Sequence, residues 1–522
     1  MTFLRILPAA LGLLPFAPHA AADVTLAPLF RDGAVLQHGK PIAIWGTADA
    51  GEKVTASFLD QRRETAADAK GNWRVDLDPL RPSSVPETLS VKANNTVQVR
   101  DILVGDVWLC SGQSNMAWPV KASRNFAEES AAANYPQIRC FRVETKTLPQ
   151  PSETASGHWE TCSPATVGAF TGVGYFFARD LHQALQIPIG VIDASYGGTP
   201  VEAWMSGDAL RSNPEFSAVF QRWSDAMAAY PERAKRFEPE LAAWKATQEA
   251  DRKAGKATKS RQPRGPVGPD SKMAPSGLYH AMIHPLIPYG LRGFLWYQGE
   301  ANAPLFNEYG KLFTTLIRTW RGAFGQGDLP FFFVQLANWN VRTDPTGVQW
   351  AFLREAQTAA LRLPATAMAV TIDVGDPRRI HPENKQEVGR RLALIALAQV
   401  YGRTVESAGP SFRSARVEGS EMRITFARAE KLILQDLNPS GFELAGSDKV
   451  FHPATARIEG TGITLAAPAV PQPVAARYAW SNNPQSSLTA APFRTDDWPA
   501  PAQALTNPYL WPLTASQPSD SP

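Results

Sequence analysis

From residue 107 onward, short apolar runs alternate with longer stretches of helical periodicity, and this alternation limits the fold more than any other feature of the chain. The apolar runs after the first one cover residues 189–194, 291–297, 330–336 and 367–373. The helical stretches cover residues 173–185, 305–324, 349–361 and 385–401. Continuous apolar runs between helices are typical of parallel strands buried on both faces. We therefore expect an α/β domain over residues 105–404, with a largely parallel sheet covered by helices on both faces and a site at the carboxyl ends of its strands.

The segments on either side of this domain have a different pattern. Residues 23–104 alternate apolar and polar side chains between turn signals, which predicts an N-terminal β-sandwich-like module. Residues 405–513 return to strand-like segments and predict a C-terminal β module, and the two segments could form one module or two. Residues 206–272 interrupt the α/β pattern with a charged, helix-prone stretch that ends in a basic loop, which we interpret as a helical insertion.

The two ends of the chain differ from the rest of the sequence, and the N-terminal end indicates where the protein acts. Residues 1–22 combine Arg5, an apolar core and a run of alanines, a pattern typical of a secretory signal peptide. We expect a periplasmic or secreted protein without membrane insertion after cleavage, and a disordered tail at 514–522.

Lys plus Arg total 52 against 49 for Asp plus Glu, so no basic surface for nucleic acid is expected.

The first apolar run ends in Gly112, Gln113 and Ser114, which places a serine hydroxyl where a buried strand gives way to a loop. Glycine permits a tight backbone path there, and nearby amides can face a developing oxyanion. Met116 stands where a G-x-S-x-G motif requires glycine, so the segment is not a nucleophile elbow. The serine alone fits either a catalytic nucleophile or an ordinary turn.

Three later segments carry side chains suited to the same chemistry. Gly197 and Gly198 follow one predicted strand and can expose backbone N–H groups. Gln298 follows another and can donate to an oxyanion without adding charge. His381 lies after the last predicted strand, and histidine has a pKa suited to taking a proton from serine and passing it to a leaving alcohol.

Together, the segments Gly-Gln-Ser-Asn-Met, Trp-Tyr-Gln-Gly-Glu and Ile-His-Pro-x-Asn-Lys resemble the SGNH hydrolases, and in particular the sialate O-acetylesterase family of carbohydrate acetylesterases. The resemblance implies a three-layer, flavodoxin-like parallel sheet domain over residues 105–404. It implies that Ser114 is the nucleophile and His381 the general base. It also implies an oxyanion hole formed by the Ser114 amide, Gly197 and Gln298. We further expect substrate contacts from four residues in or beside these segments: Asn115, Glu300, Asn302 and Trp204.

The acid of the expected triad is the point where the sequence departs from the family pattern. Many SGNH enzymes have an aspartate three residues before the histidine, where this chain has Arg378. Asp376 is our predicted acid, with Asp373 as a second candidate and a Ser–His dyad oriented by a backbone carbonyl as a third arrangement. His284, which like His381 precedes a proline, is the rival for the base.

The sequence predicts neither a metal nor a cofactor. His280 and His284 have the four-residue spacing of zinc ligands on a helix, but no Glu lies between them and no third ligand is evident. The three cysteines are too few for a disulfide framework, although Cys140 and Cys162 could pair. Cys110 reads as a core residue.

The resemblance implies a serine esterase that removes O-acetyl groups from carbohydrates through an acetyl-serine intermediate. The sequence leaves open whether the substrate is an acetylated hemicellulose-type saccharide or an O-acetylated sialic acid. An alternative is a carbohydrate-binding protein with a vestigial hydrolase domain. The absence of an aspartate at position 378 is consistent with this alternative.

Overall fold

The computed structural model describes residues 23–256, 260, 262–429, 440–485 and 490–501. The predicted signal peptide, 1–22, and the predicted tail, 514–522, lie outside these residues. The described part contains mixed α/β structure in its middle and antiparallel sheets on both sides in sequence, as the apolar patterns predict. None of its helices combines the length and the apolar composition needed to cross a membrane.

The N-terminal strands form a three-stranded sheet and one arm of a larger sheet. The strands of this region are β1 (Thr25–Leu26), β2 (Val35–Gln37), β3 (Ile42–Thr47), β4 (Lys53–Phe58), β5 (Gln61–Ala66), β6 (Asn72–Leu77), β7 (Ser83–Lys92) and β8 (Thr96–Gly112). In β4 and β6 every second residue is buried, as expected for strands with one face on a core. This core is continuous with that of the central sheet.

Strand β8 is the longest strand described and joins the two arms of the larger sheet. Its first half pairs antiparallel with β7, up to Val104. Its second half, from Asp106 to Gly112, is buried throughout and pairs in parallel with later strands on both sides. The predicted domain boundary at 104 and 105 therefore falls inside one continuous strand, at the point where its pairing changes.

The central part of the larger sheet has the strand order β10-β9-β11-β8-β12-β13-β14, parallel except for β10. Its further strands are β9 (Tyr135–Arg142), β10 (Trp159–Cys162), β11 (Ile189–Ser195), β12 (Gly293–Tyr297), β13 (Phe331–Val334) and β14 (Thr366–Ala369). The helices are α1 (Ser114–Ala117), α2 (Phe126–Ala132), α3 (Gly172–Leu185), α4 (Gly207–Arg211), α5 (Ser217–Lys253), α6 (Phe306–Phe324), α7 (Gln349–Thr358) and α8 (Lys385–Gln399).

Side chains on β8 show that helices cover both faces of this sheet. Trp108 packs edge-on against Phe177 of α3, with ring centroids 4.9 Å apart. Leu109 points to the opposite face, which it shares with its register partner Phe294 of β12. Phe294 packs against Trp320 of α6 at 5.6 Å. Helices α3 and α6 therefore lie on opposite faces, in a three-layer arrangement.

The insertion is dominated by the 37-residue helix α5. The chain returns along this helix, since Gly265 lies against the Phe237 ring and Gly268 against the Tyr230 ring. This return brings Lys272 back to the central domain, where its side chain reaches Gly197.

The C-terminal strands form two four-stranded sheets, in the orders β15-β16-β20-β19 and β18-β17-β21-β22. These strands are β15 (Ser411–Glu418), β16 (Glu421–Ala427), β17 (Phe442–Ala445), β18 (Phe451–Pro453), β19 (Thr455–Glu459), β20 (Gly462–Ala466), β21 (Ala475–Tyr478) and β22 (Phe493–Arg494). They surround a hydrophobic cluster of their own, and within the described residues none of them pairs with an N-terminal strand. The N-terminal and C-terminal strands therefore form separate sheets, and their division into two modules stays a prediction.

Candidate active site

Ser114 begins helix α1 directly after β8, at the carboxyl edge of the central sheet. The turn before it depends on Gly112, which has φ +132 and lies against β12 so closely that a Cβ would be 2.2 Å from the Tyr297 carbonyl oxygen. Any larger residue would push the two central strands apart at this point. The close packing of β8 and β12 thus fixes where the Ser114 hydroxyl emerges.

The Ser114 hydroxyl is hydrogen-bonded to His381, with 2.8 Å between Oγ and Nε2. His381 lies in the loop between β14 and α8, and both residues are half-buried. The imidazole stacks on the Trp118 ring with centroids 4.9 Å apart and an interplanar angle of 22°. Trp118 therefore fixes the plane of the imidazole, a contact between residues too far apart in the chain for the sequence to reveal it.

The surroundings of His381 favour its neutral form. Burial lowers the pKa of the imidazole below its ordinary value, and the positive charge of Lys385 lowers it further. A neutral imidazole has a lone pair at Nε2 to accept the Ser114 proton. His381 is therefore suited to accepting a proton near neutral pH.

The side chain of Asn115, the residue after Ser114, is hydrogen-bonded to the loop that carries His381. Its Nδ2 donates to Glu300 Oε1 at 2.6 Å and to the Ile380 carbonyl at 3.0 Å. Its Oδ1 accepts from Lys385 Nζ at 2.6 Å. Burial lowers the pKa of Lys385 to about 7 and raises the pKa of Glu300. The Asn115 amide thus holds the backbone next to His381 in place.

Gly197 supplies a backbone amide beside the serine. A Cβ on Gly197 would lie 3.2 Å from Ser114 Cβ, so the two residues are in direct contact. Within the described residues, neither the Ser114 N–H nor the Gly197 N–H donates to a protein acceptor. Two such unpaired N–H groups next to one hydroxyl are suited to binding an oxyanion, and the oxyanion role of Ser114 and Gly197 stays a prediction.

Comparison with known proteins places the chain in a family. The model of the family described as carbohydrate esterase, sialic acid-specific acetylesterase, matches residues 104–235 and 272–398. The sialate O-acetylesterase of Rattus norvegicus is 33% identical over 409 residues, covering 69% of this chain and 70% of the relative. The sialate O-acetylesterase of Mus musculus is 31% identical, covering 88% of this chain and 90% of the relative.

The chain belongs to the sialate O-acetylesterase family. A crystal structure of a carbohydrate acetylesterase from Xanthomonas citri is also similar, at 36% identity and a TM-score of 0.77, covering 91% of this chain and 100% of that one. As a sialate O-acetylesterase family member, the chain is a carboxylic ester hydrolase. The family that the three sequence segments resemble is thereby confirmed.

In this family member, Gln298 does not present a free donor to the site. Its Nε2 donates to the Thr199 carbonyl at 3.2 Å and to Asn302 Oδ1 at 2.7 Å, which occupies both of its hydrogens. Its Oε1 is buried and has no hydrogen-bond partner in the described part of the chain. A carboxamide oxygen cannot donate to an oxyanion, so the predicted oxyanion role of Gln298 requires the amide to turn and stays a prediction.

The predicted acid shares no hydrogen bond with the base in the described part of the chain. Asp376 Oδ1 accepts from the Arg378 backbone N–H at 2.8 Å, and Asp373 is paired with Arg391 at 2.6 Å. Among the hydrogen bonds of the described residues, none joins His381 to either carboxylate. The structure thus brings together Ser114, His381 and Gly197, and leaves the triad role of Asp376 as a prediction.

The residues expected to bind substrate are buried. Asn115, Glu300, Asn302 and Trp204 are 2%, 9%, 0% and 0% exposed. Asn302 bonds to Glu202 and Gln298, and the Trp204 indole donates to Thr199. These side chains support the loops that form the site, and their predicted contact with substrate stays a prediction.

The remaining candidates occupy structural positions. His280 Nδ1 contacts the Leu148 carbonyl at 3.1 Å, and His284 Nε2 lies 3.4 Å from Glu153. The rival base is therefore not the histidine that contacts Ser114. Within the described residues no group of three or more possible metal ligands occurs. All three cysteines are buried and free, so Cys140 and Cys162 do not form the disulfide that the sequence left open.

Proposed function

We propose that this chain is an SGNH-type serine esterase that removes O-acetyl groups from carbohydrates, with Ser114 as nucleophile and His381 as general base. The observation that carries the proposal is the 2.8 Å hydrogen bond between Ser114 Oγ and His381 Nε2. This distance lies within the range expected for a nucleophile and its base. A vestigial hydrolase domain would not need to keep this geometry.

The chemistry follows from the atoms in place. His381 Nε2 takes the Ser114 proton as Oγ bonds to the acetyl carbon, and the carbonyl electron pair moves to oxygen. The N–H groups of Ser114 and Gly197 donate to that oxyanion. When the tetrahedral intermediate collapses, the C–O bond to the sugar breaks and His381 protonates the leaving hydroxyl. Water, with His381 again as base, then releases acetate from the acetyl-serine.

The substrate class follows from the relatives and from the predicted leader. The similar proteins are named for sialate and carbohydrate acetyl esters. A periplasmic or secreted enzyme, as the predicted signal peptide at 1–22 implies, would meet acetylated hemicellulose fragments or O-acetylated sialic acids. Acetate release from these two substrates, measured side by side, decides between them.

Replacing the nucleophile tests the proposal directly. We expect Ser114→Ala to reduce release of acetate from 4-nitrophenyl acetate and from an acetylated sugar by about 10⁴-fold or more, because the covalent route is lost. Circular dichroism and thermal unfolding check that the variant is folded. Full activity in a folded Ser114→Ala protein would refute the assignment.

Covalent labelling separates an esterase from a binding protein. A fluorophosphonate should label wild-type Ser114 and leave Ser114→Ala unlabelled, whereas a vestigial site would leave both proteins unlabelled. Activity should be unchanged by a chelator, since no step uses a metal.

The acid of the triad has its own test. Asp376→Asn keeps the size of the side chain and removes its charge. If Asp376 orients or stabilises the imidazolium, kcat falls by a factor on the order of 10² or more. Unchanged kcat would rule out Asp376 as the acid and leave Asp373 and a Ser114–His381 dyad as the remaining arrangements.

A further inference from the structure

Lys272 connects the end of the insertion to the loop that carries Gly197. Its Nζ donates to the Gly197 carbonyl at 2.5 Å and lies 4.9 Å from the centroid of the Tyr196 ring. A Cβ on Gly198 would lie 3.3 Å from the same Nζ. One ammonium group therefore touches three consecutive residues of this loop.

The loop needs such a support because glycine has more backbone freedom than any other residue. Gly198 adopts φ +70, and Gly197 is in contact with Ser114. If the Gly197–Gly198 backbone rotated, the Gly197 N–H would no longer point where an oxyanion forms. The hydrogen bond from Lys272 restricts rotation at the Gly197 carbonyl. The contact with Ser114 restricts the Gly197 backbone on its other side.

The environment of Lys272 is unusual for a surface lysine. The side chain is half-buried, and among the described residues it forms no ion pair with a carboxylate. Burial lowers its pKa below the ordinary value. Removing an ammonium from water without a counter-charge costs free energy, so its placement on a carbonyl of the active-site loop calls for a compensating benefit.

We propose that Lys272 is a positioning residue for the oxyanion hole, which holds the Gly197–Gly198 backbone so that the Gly197 N–H faces the acetyl oxyanion. The inference rests on the proposed esterase function and extends it to the insertion. The positive charge also polarises the Gly197 carbonyl and adds to the potential that favours a developing negative charge. The insertion thereby contributes a residue to catalysis without contacting the reacting atoms.

Kinetics of Lys272→Met tests the proposal, because methionine keeps the aliphatic stem and removes the donor and the charge. We expect kcat for 4-nitrophenyl acetate to fall by about 10-fold to 100-fold with KM changed less than about twofold, since the lost contact acts in the transition state. The rate of fluorophosphonate labelling of Ser114 should fall in parallel. Lys256→Met, at an exposed lysine of the same insertion, is the matched control and should retain wild-type values.

A chemical rescue keeps the test valid if Lys272→Met folds poorly. In Lys272→Cys, alkylation of the introduced thiol with 2-bromoethylamine restores an ammonium at nearly the length of lysine. The three native cysteines are buried and should be spared in the folded protein. We expect aminoethylation to recover most of kcat in the same folded sample.

The outcomes separate the two proposals. Wild-type kcat and labelling rate in folded Lys272→Met, or no gain on aminoethylation, would overturn the role of Lys272 while leaving the esterase assignment intact. An inactive, unlabelled wild-type protein would instead refute the proposed function itself.

Discussion

At the scale of single residues, the site depends on an imidazole kept neutral by its surroundings. Burial and the Lys385 charge lower the pKa of His381. The imidazole must be neutral to accept the Ser114 proton, so activity is lost as the pH falls through that pKa. We therefore expect the acidic limb of kcat/KM to lie below pH 6.5, the ordinary value for histidine, with activity retained at neutral pH.

This expectation is checked with 4-nitrophenyl acetate by measuring kcat/KM from about pH 4 to about pH 8. Removal of the Lys385 charge by Lys385→Met should move the limb upward, because the charge that disfavours imidazolium is gone. That variant also loses the bond to Asn115, so the position of the limb is the informative quantity and the absolute rate is not. An acidic limb at or above pH 6.5 in the wild type would contradict the proposed environment.

How far the sequence predicts the site depends on whether a contact is local. The end of a buried strand, a glycine pair and a loop histidine are local patterns, and the structure brings Ser114, Gly197 and His381 together. Asn115 and Lys272 act through partners far away in the chain, which no spacing reveals. Gln298 illustrates the converse, since its position is as predicted while its hydrogens are taken by Thr199 and Asn302.

At the scale of elements, the apolar runs predict the main strands within a few residues. The predicted run 189–194 is strand β11, Ile189–Ser195, and the predicted helix 385–401 is α8, Lys385–Gln399. Strand β9 has no counterpart in the prediction, because Pro136, Arg139 and Arg142 interrupt its apolar pattern. It nevertheless pairs in parallel with β11, because the backbone groups on that side of β11 would otherwise be unpaired.

The packing of α8 on α3 determines where the loop with His381 ends, and it depends on Gly389. A Cβ there would lie 2.5 Å from Phe176 Cβ and 2.8 Å from the Phe177 nitrogen. We expect Gly389→Ala to destabilise the protein by about 1–3 kcal/mol, because the two helices must move apart. The measurement is the urea midpoint of unfolding, together with kcat.

Gly322 in helix α6 provides the matched control. A Cβ at this position meets nothing within 4 Å. Gly322→Ala should therefore stabilise the protein by about 0.5–1 kcal/mol, through helix propensity alone. Equal effects of the two substitutions would show that the α3–α8 contact does not limit stability.

At the scale of the whole molecule, the C-terminal module is tied to the catalytic domain close to the active site. Asn338, in the loop after β13, donates to Asn483 at 2.9 Å and accepts from the Gly375 N–H at 2.8 Å. Gly375 belongs to the loop that carries His381. The Asn338 side chain therefore bridges the C-terminal β module and the loop that carries the base, which the sequence could not show because the partners lie on three separate segments.

Arg354 is the central residue of the same connection. It is fully buried, and its guanidinium donates to four backbone carbonyls, two on the loop after β13 and two in the segment that follows β21 of the C-terminal module: Leu336, Ala337, Ser481 and Asn482. Burial lowers the pKa of Arg354 to about 9, so the group stays charged at neutral pH. Arg354→Met would leave these carbonyls without their donor in a buried interface.

We expect Arg354→Met to destabilise the protein by about 3 kcal/mol or more, since each unsatisfied buried acceptor costs about 1–3 kcal/mol. The urea midpoint measures this loss, and kcat measured well below that midpoint shows whether the His381 loop has also shifted. Arg416→Met is the control, because that side chain is 82% exposed and its ion pair with Glu418 should contribute about 1 kcal/mol at most. If Arg354→Met unfolded no earlier than Arg416→Met, the C-terminal module would be attached by other contacts, and its connection to the base would not depend on this arginine.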